Sequence, residues 1–129
     1  MGRIRNKRGS LSKGVGSFGE SWAKAYLEGV GYRILEQNFR CRLGEIDLVA
    51  QEGGEIAFVE VKARRGRAFG YPEEQIPASK RRRLGRLAQW YLKRYRKSEQ
   101  PARFDVVTLL MSPGGKIEEV GLIRNAFSV

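Results

Sequence analysis

Hydrophobic and polar positions along this chain alternate in two lengths, and the clearest alternation is broken by charge. Gly44-Glu45-Ile46-Asp47-Leu48-Val49-Ala50 and Ile56-Ala57-Phe58-Val59-Glu60-Val61-Lys62-Ala63 both read as strands. Runs such as Ala57-Phe58-Val59 suit an interior strand, where ionised groups are rare unless something compensates them. A period of two puts Phe58, Glu60 and Lys62 on one face, with Val59, Val61 and Ala63 opposite. It puts Glu45, Asp47 and Val49 together, with Ile46 and Leu48 behind. Glu52-Gly53-Gly54 is a tight-turn signal between the runs, so a hairpin would bring Asp47, Glu60 and Lys62 to one place.

The remaining elements follow from longer periods and from turn residues. Phe18, Trp22, Ala25, Tyr26 and Val30 recur at helical spacing, which predicts a helix from Phe18 to about Val30. Ser17 is a candidate cap with Glu20 three residues on, and Gly29 and Gly31 close the helix. Tyr32 to Phe39 reads as a strand and Arg40 to Arg42 as a turn. Arg64 to Pro77 is polar with two prolines, hence a loop. Leu84, Leu87, Ala88, Tyr91, Leu92 and Tyr95 form the apolar stripe of a helix from about Ala78 to Arg96. Phe104 to Met111 and Lys116 to Ile123 are strands about Pro113-Gly114-Gly115. Trp22, Trp90, Tyr91 and Tyr95 are expected in the core, and Phe69 and Tyr71 are the better candidates for base stacking. The order α-β-β-β-α-β-β predicts an α/β domain with a mixed sheet of about five strands, spanning residues 15–129. Residues 1–14, basic and containing Gly and Ser, read as a flexible arm.

Composition narrows the chemistry. The 129 residues carry 25 Lys and Arg against 14 Asp and Glu, a formal net charge of +11, and 41% of them are hydrophobic. Such an excess favours polyanions through counterion release. No segment pairs a basic face with the exposed large apolar face that membrane insertion needs, which favours nucleic acid over a membrane surface. The apolar runs are too short to span a bilayer, and no export segment is evident, so the cytoplasm is the expected location. Cys41 is alone and cannot form an internal disulfide. Histidine is absent, which excludes Ser-His-Asp hydrolysis, imidazole bases and most zinc sites. Any metal must sit among oxygen ligands, which points to Mg²⁺ or Mn²⁺.

An aspartate in one strand and Glu-x-Lys in the next, on this frame, resembles the restriction-endonuclease-like PD-(D/E)xK nucleases. More narrowly, the chain from about Gly14 resembles the YraN family, whose fold is similar to that of archaeal Holliday-junction resolvases. The matching stretches are Gly19-Glu20 with Ala23 and Tyr26-Leu27, Asn38-Phe39-Arg40, Gly44 to Val49, Phe58 to Lys62, Phe69-Gly70, Lys80, and Arg103 to Val107. Ile46 stands where the nuclease pattern places proline. The resemblance implies that Asp47 and Glu60 hold Mg²⁺ or Mn²⁺ with the carbonyl of Val61. Lys62 would serve as base or charge stabiliser, and Glu20 as a further helix ligand. It also implies that Lys80 points towards the site. Arg64, Arg65 and Arg67, and Lys80, Arg82, Arg83 and Arg86 on the long helix, are candidates for phosphate contacts, with DNA favoured over RNA. Resolvases often act as dimers, which makes a homodimer one expectation.

Each residue also has a plainer reading. Asp47 or Glu60 could simply neutralise Lys62, Glu20 could cap its helix, Glu45 could face solvent, and Asp105 could bridge to Arg103. The whole chain could be a nucleic-acid-binding module that keeps the nuclease fold without its chemistry.

Overall fold

A computed structural model describes residues 12–65 and 76–129. Arg67, Phe69, Tyr71 and the first eleven residues of the expected arm lie outside the described residues. The chain forms α1 (Ser12–Gly29), β1 (Arg33–Cys41), β2 (Gly44–Glu52), β3 (Glu55–Arg65), α2 (Ala78–Arg94), β4 (Ala102–Met111) and β5 (Ile117–Phe127). The five strands lie in one sheet in chain order; β3 and β4 run parallel and the other neighbours antiparallel. This is the α/β arrangement with a mixed sheet that the turn signals and periods predicted. Between β3 and β4 the chain needs a crossover, and α2 supplies it.

The two helices cover opposite faces. α2 packs with Phe39, Ile46, Val49, Ile56, Phe58 and Phe104 through Leu84, Leu87, Ala88 and Tyr91. α1 packs with Leu48, Ala50, Ala57, Val59, Val107 and Leu109 through Ala23 and Leu27. Val59, Val61 and Ala63 share the α1 side, as alternation along β3 predicted.

Three expectations need correction. First, α1 starts at Ser12, so residues 12–14 of the expected arm are helical, and neither Ser17 nor Glu20 can cap it. Second, the aromatic stripe of α1 points outward. Phe18 is 47% exposed and Trp22 41%, while Ala23 and Leu27 are fully buried. The close approach of helix and sheet explains this. A side chain on Gly19 would meet Leu109 Cδ1 at 3.3 Å, so the helix runs close to the sheet at that point. Third, Tyr95 is also largely exposed, resting on the Tyr91 ring at 4.7 Å, whereas Trp90 packs on Phe39 and Tyr91 is buried.

At the turn end of the hairpin, β2 and β3 meet a knot of buried charge. Asp105, wholly buried, accepts hydrogen bonds from Tyr32 Oη at 2.6 Å, Arg103 Nε at 3.0 Å and the Asn125 amide at 2.9 Å. Arg103 also reaches Glu52 and Glu55, and Arg124 Nη2 holds Glu52 at 2.7 Å. The expected Arg103–Asp105 bridge is therefore one strand of a larger network.

Candidate metal centre and nucleic-acid interface

The site lies where the sheet forks. β2 and β3 pair from Glu52↔Glu55 to Leu48↔Val59 and no further. Beyond that point the start of β2 pairs only with β1, through Phe39↔Ile46, Arg40↔Glu45 and Cys41↔Gly44, and the end of β3 pairs only with β4. Asp47 and Glu60 are the first residues past the fork. The Val61 amide, deprived of a strand partner, donates instead to Asp47 Oδ2 at 2.8 Å. The carboxylate thus caps an open ladder and is held in place by it.

The alternation expected along β2 slips here. Ile46 and Val49 both join the α2-side cluster, while Leu48 belongs to the α1 side. Asp47 is therefore not grouped with Val49. The irregularity lies beside Asn38, opposite in β1, which adopts φ 54°, a left-handed conformation that Asn tolerates better than most residues. The slip turns Asp47 towards α1. There Glu20, half-buried one turn before Ala23, hydrogen-bonds Asn38 and Asp47. Oxygen atoms of Glu20, Glu45 and Asp47 lie within 4.8 Å of one another, the one such group of three among the described residues.

Glu60 looks the other way. It is 6% exposed and takes the Lys80 ammonium from the first turn of α2 in a short ion pair. The sequence offered Lys62 as its partner; Lys62 is near enough to feel both Glu60 and Asp47, but Lys80 makes the bridge.

Electrostatics record how crowded the fork is. Burial, followed by the charges of Glu60 and Glu20, pushes the Asp47 carboxyl well above its ordinary value despite the Val61 amide and Lys80. Burial likewise raises Glu20, helped by Glu45 and Glu60 and opposed by its hydrogen bonds to Asn38 and Asp47. Burial and the charge of Lys80 lower Lys62, partly offset by Glu60. Lys80 moves up, because the Glu60 charge and hydrogen bond outweigh its own desolvation. The carboxylate donors are all hard oxygens, so they suit Mg²⁺ or Mn²⁺.

Basic groups surround this end of the sheet. Arg82, Arg83 and Arg86 are exposed on α2, which carries no acidic residue along its length. Arg83 runs along the backbone of Gly44, its Cδ 3.6 Å from where a side chain on that glycine would start. Gly44 has φ 139°, open to glycine alone, and so admits both the turn and the arginine. Arg64 acts on Lys62 from two residues along β3. Arg65 instead reaches the β4–β5 turn, donating to the Pro113 carbonyl at 3.3 Å.

Of the residues the sequence singled out, Glu20 and Asp47 lie together with Glu45, and Glu60 pairs with Lys80 beside Lys62, a division the sequence did not indicate. Asn38, beside Glu20, was not singled out for the site, although an asparagine inside a strand is a signal for a left-handed kink. Glu45, weighed as a solvent-facing acid at least as readily as a ligand, lies 3.6 Å from Arg40 and completes the acidic group.

Known proteins place the chain. Residues 19–109 match the model of the "Uncharacterised protein family UPF0102". The chain belongs to the UPF0102 (YraN) family. A UPF0102 protein of Symbiobacterium thermophilum is 50% identical over 117 residues, covering 91% of this chain and 98% of the relative. One from Caldicellulosiruptor saccharolyticus is 45% identical over 113 residues, 88% of this chain and 96% of the relative. UPF0102 membership accords with the resemblance read from Gly44 to Val49 and Phe58 to Lys62. No helix among the described residues is long and apolar enough to cross a membrane.

Proposed function

We propose that this UPF0102 protein is a divalent-metal-dependent, endonuclease-like protein acting on DNA, including branched or structured DNA. One observation carries the reading: carboxylates from α1, β2 and β3 gather at a fork in the sheet, beside two lysines and under a basic helix. Asp47, Glu20 and Glu45, with Glu60, would hold the ion. When bound, such an ion polarises a phosphodiester and lowers the pKa of the attacking water. The protein's own part is positional. The Val61 amide fixes the angle of Asp47, and Asn38 that of Glu20. Lys62, made easier to deprotonate by burial and by Lys80, suits either a base or a donor to growing negative charge. Arg83 and Arg86 offer phosphate contacts along the same end.

Incubation of supercoiled, single-stranded and four-way-junction DNA with Mg²⁺ or Mn²⁺ tests the enzyme directly. Cleavage by the wild type should fall at least about a hundredfold in Asp47→Ala and Glu60→Ala, the scale of losing positioned catalytic groups. Equal activity in all three preparations would mean a contaminant.

The Lys80–Glu60 ion pair supports a second reading, a nucleic-acid-binding module without catalysis, since an ammonium already neutralises one acid. That module binds DNA in a salt-sensitive way and needs no metal. Titration with Mn²⁺ separates the two, because a nuclease binds the ion through Asp47.

A further inference from the structure

We propose that Lys80 is a built-in counter-ion that divides the site into an open half, Glu20, Glu45 and Asp47, and a half at Glu60 closed to metal until the lysine leaves. The inference rests on the metal-dependent reading above and concerns the order in which its ligands become available.

The division is visible in the contacts. Glu60 is almost fully buried and its oxygen is taken by the Lys80 ammonium, whereas among the described residues the triad's ion pair is that of Glu45 with the exposed Arg40. A buried carboxylate must have a cation, so an ion arriving at Glu60 has to displace one already there. Nothing local to the helix favours Lys80. It lies in the first turn of α2 with Arg81 after it and no acid in that turn, at the end where the helix dipole disfavours positive charge. Glu60 supplies the compensation that the helix does not. The choice of lysine also matters. A lysine is a point charge on a flexible stem, and this one keeps 30% of its side chain exposed, so it has a way out towards solvent. Among the described residues the triad has no such lysine bridge, and its oxygens lie within 4.8 Å of one another, close enough to share one ion.

Mn²⁺ binding to the full chain, followed by the electron paramagnetic resonance signal of free Mn²⁺ and by calorimetry, tests the division without relying on activity. Wild type and Glu60→Gln should bind the first ion alike, while Asp47→Asn loses it. Lys80→Gln, which keeps a hydrogen-bond donor for Glu60 but no charge, should bind roughly tenfold tighter or more. Adding Glu60→Gln to Lys80→Gln should return the affinity to that of the wild type. Thermal melts guard against a folding artefact: Mn²⁺ should raise the melting temperature of Lys80→Gln more than that of the wild type. If Glu60→Gln weakens wild-type binding as much as Asp47→Asn does, or if Lys80→Gln binds no tighter, the division is wrong while the metal site stands. If no variant binds Mn²⁺, the functional reading fails and the division with it.

Discussion

Asp47 shows how one side chain can serve architecture and chemistry at odds with each other. It ends the β2–β3 ladder by accepting the Val61 amide, yet it sits among Glu20 and Glu60 and is costly to ionise. Asn in its place keeps an oxygen for that amide and removes the charge. Asp47→Asn should therefore stabilise the metal-free protein by about 1 kcal/mol at neutral pH, as a shifted urea midpoint, and should lose stabilisation by Mn²⁺. At this scale the sequence spoke clearly where charge broke an apolar run, at Asp47, Glu60 and Lys62. It anticipated the Arg103–Asp105 bridge but not the partner of Glu60. Glu60 takes Lys80, twenty positions away, because a crossover helix returns over the fork, and no spacing along β3 encodes that. Asn38 bends the alternation of its neighbour strand, so counting by twos from Glu45 fails at Asp47.

Elements were legible where punctuation was strong and faces were not. Gly53-Gly54 and Pro113-Gly114-Gly115 mark their turns, and the strand order follows. In α1, however, the largest apolar residues are the exposed ones, since distance to the sheet rather than hydrophobicity decides which residues face it. Leu27→Ala should cost about 2–5 kcal/mol in chemical denaturation, and Trp22→Ala less than about 1. The reverse ranking would overturn the face assignment. The opposite end of the hairpin carries its own pH signature. Glu52, ordinarily at 4.5, is held near pKa about 2 by its hydrogen bond to Arg124, which outweighs desolvation, with Arg103 adding to the lowering. A lowered carboxyl stabilises the fold above its unfolded pKa and stops doing so as pH falls through the folded one. Stability should thus decline between about pH 4.5 and 2, and Glu52→Gln should flatten that decline in acid melts.

Over the whole molecule, charge is distributed with a bias that composition alone did not locate. The net +11 includes the seven cations of α2, Lys80, Arg81, Arg82, Arg83, Arg86, Lys93 and Arg94, unrelieved by any acid in that helix. Neutralising Arg82, Arg83 and Arg86 together should weaken DNA binding across all sequences. It should also flatten the dependence of log K on log salt by roughly two to three units, measured by fluorescence anisotropy. An unchanged slope would move the phosphate contacts elsewhere. The α/β architecture was readable because every connection but one joins neighbouring antiparallel strands; the exception, β3 to β4, is where the loop signal and the basic helix coincided.

That exception has a consequence for how the protein comes into being. Glu20, Asn38, Glu45, Asp47, Glu60, Lys62 and Lys80 are all translated before any residue of β4, the strand that alone supports β3 past the fork. On a ribosome, the acids emerge first and the scaffold that keeps them apart from one another's neighbours emerges last. Ten residues of β3, Ile56 to Arg65, wait for Ala102 to Met111 before they have a parallel partner. The crevice is therefore completed only near the end of synthesis, and a chain stalled before β4 carries every acid of the fork without the strand that holds β3 beside them.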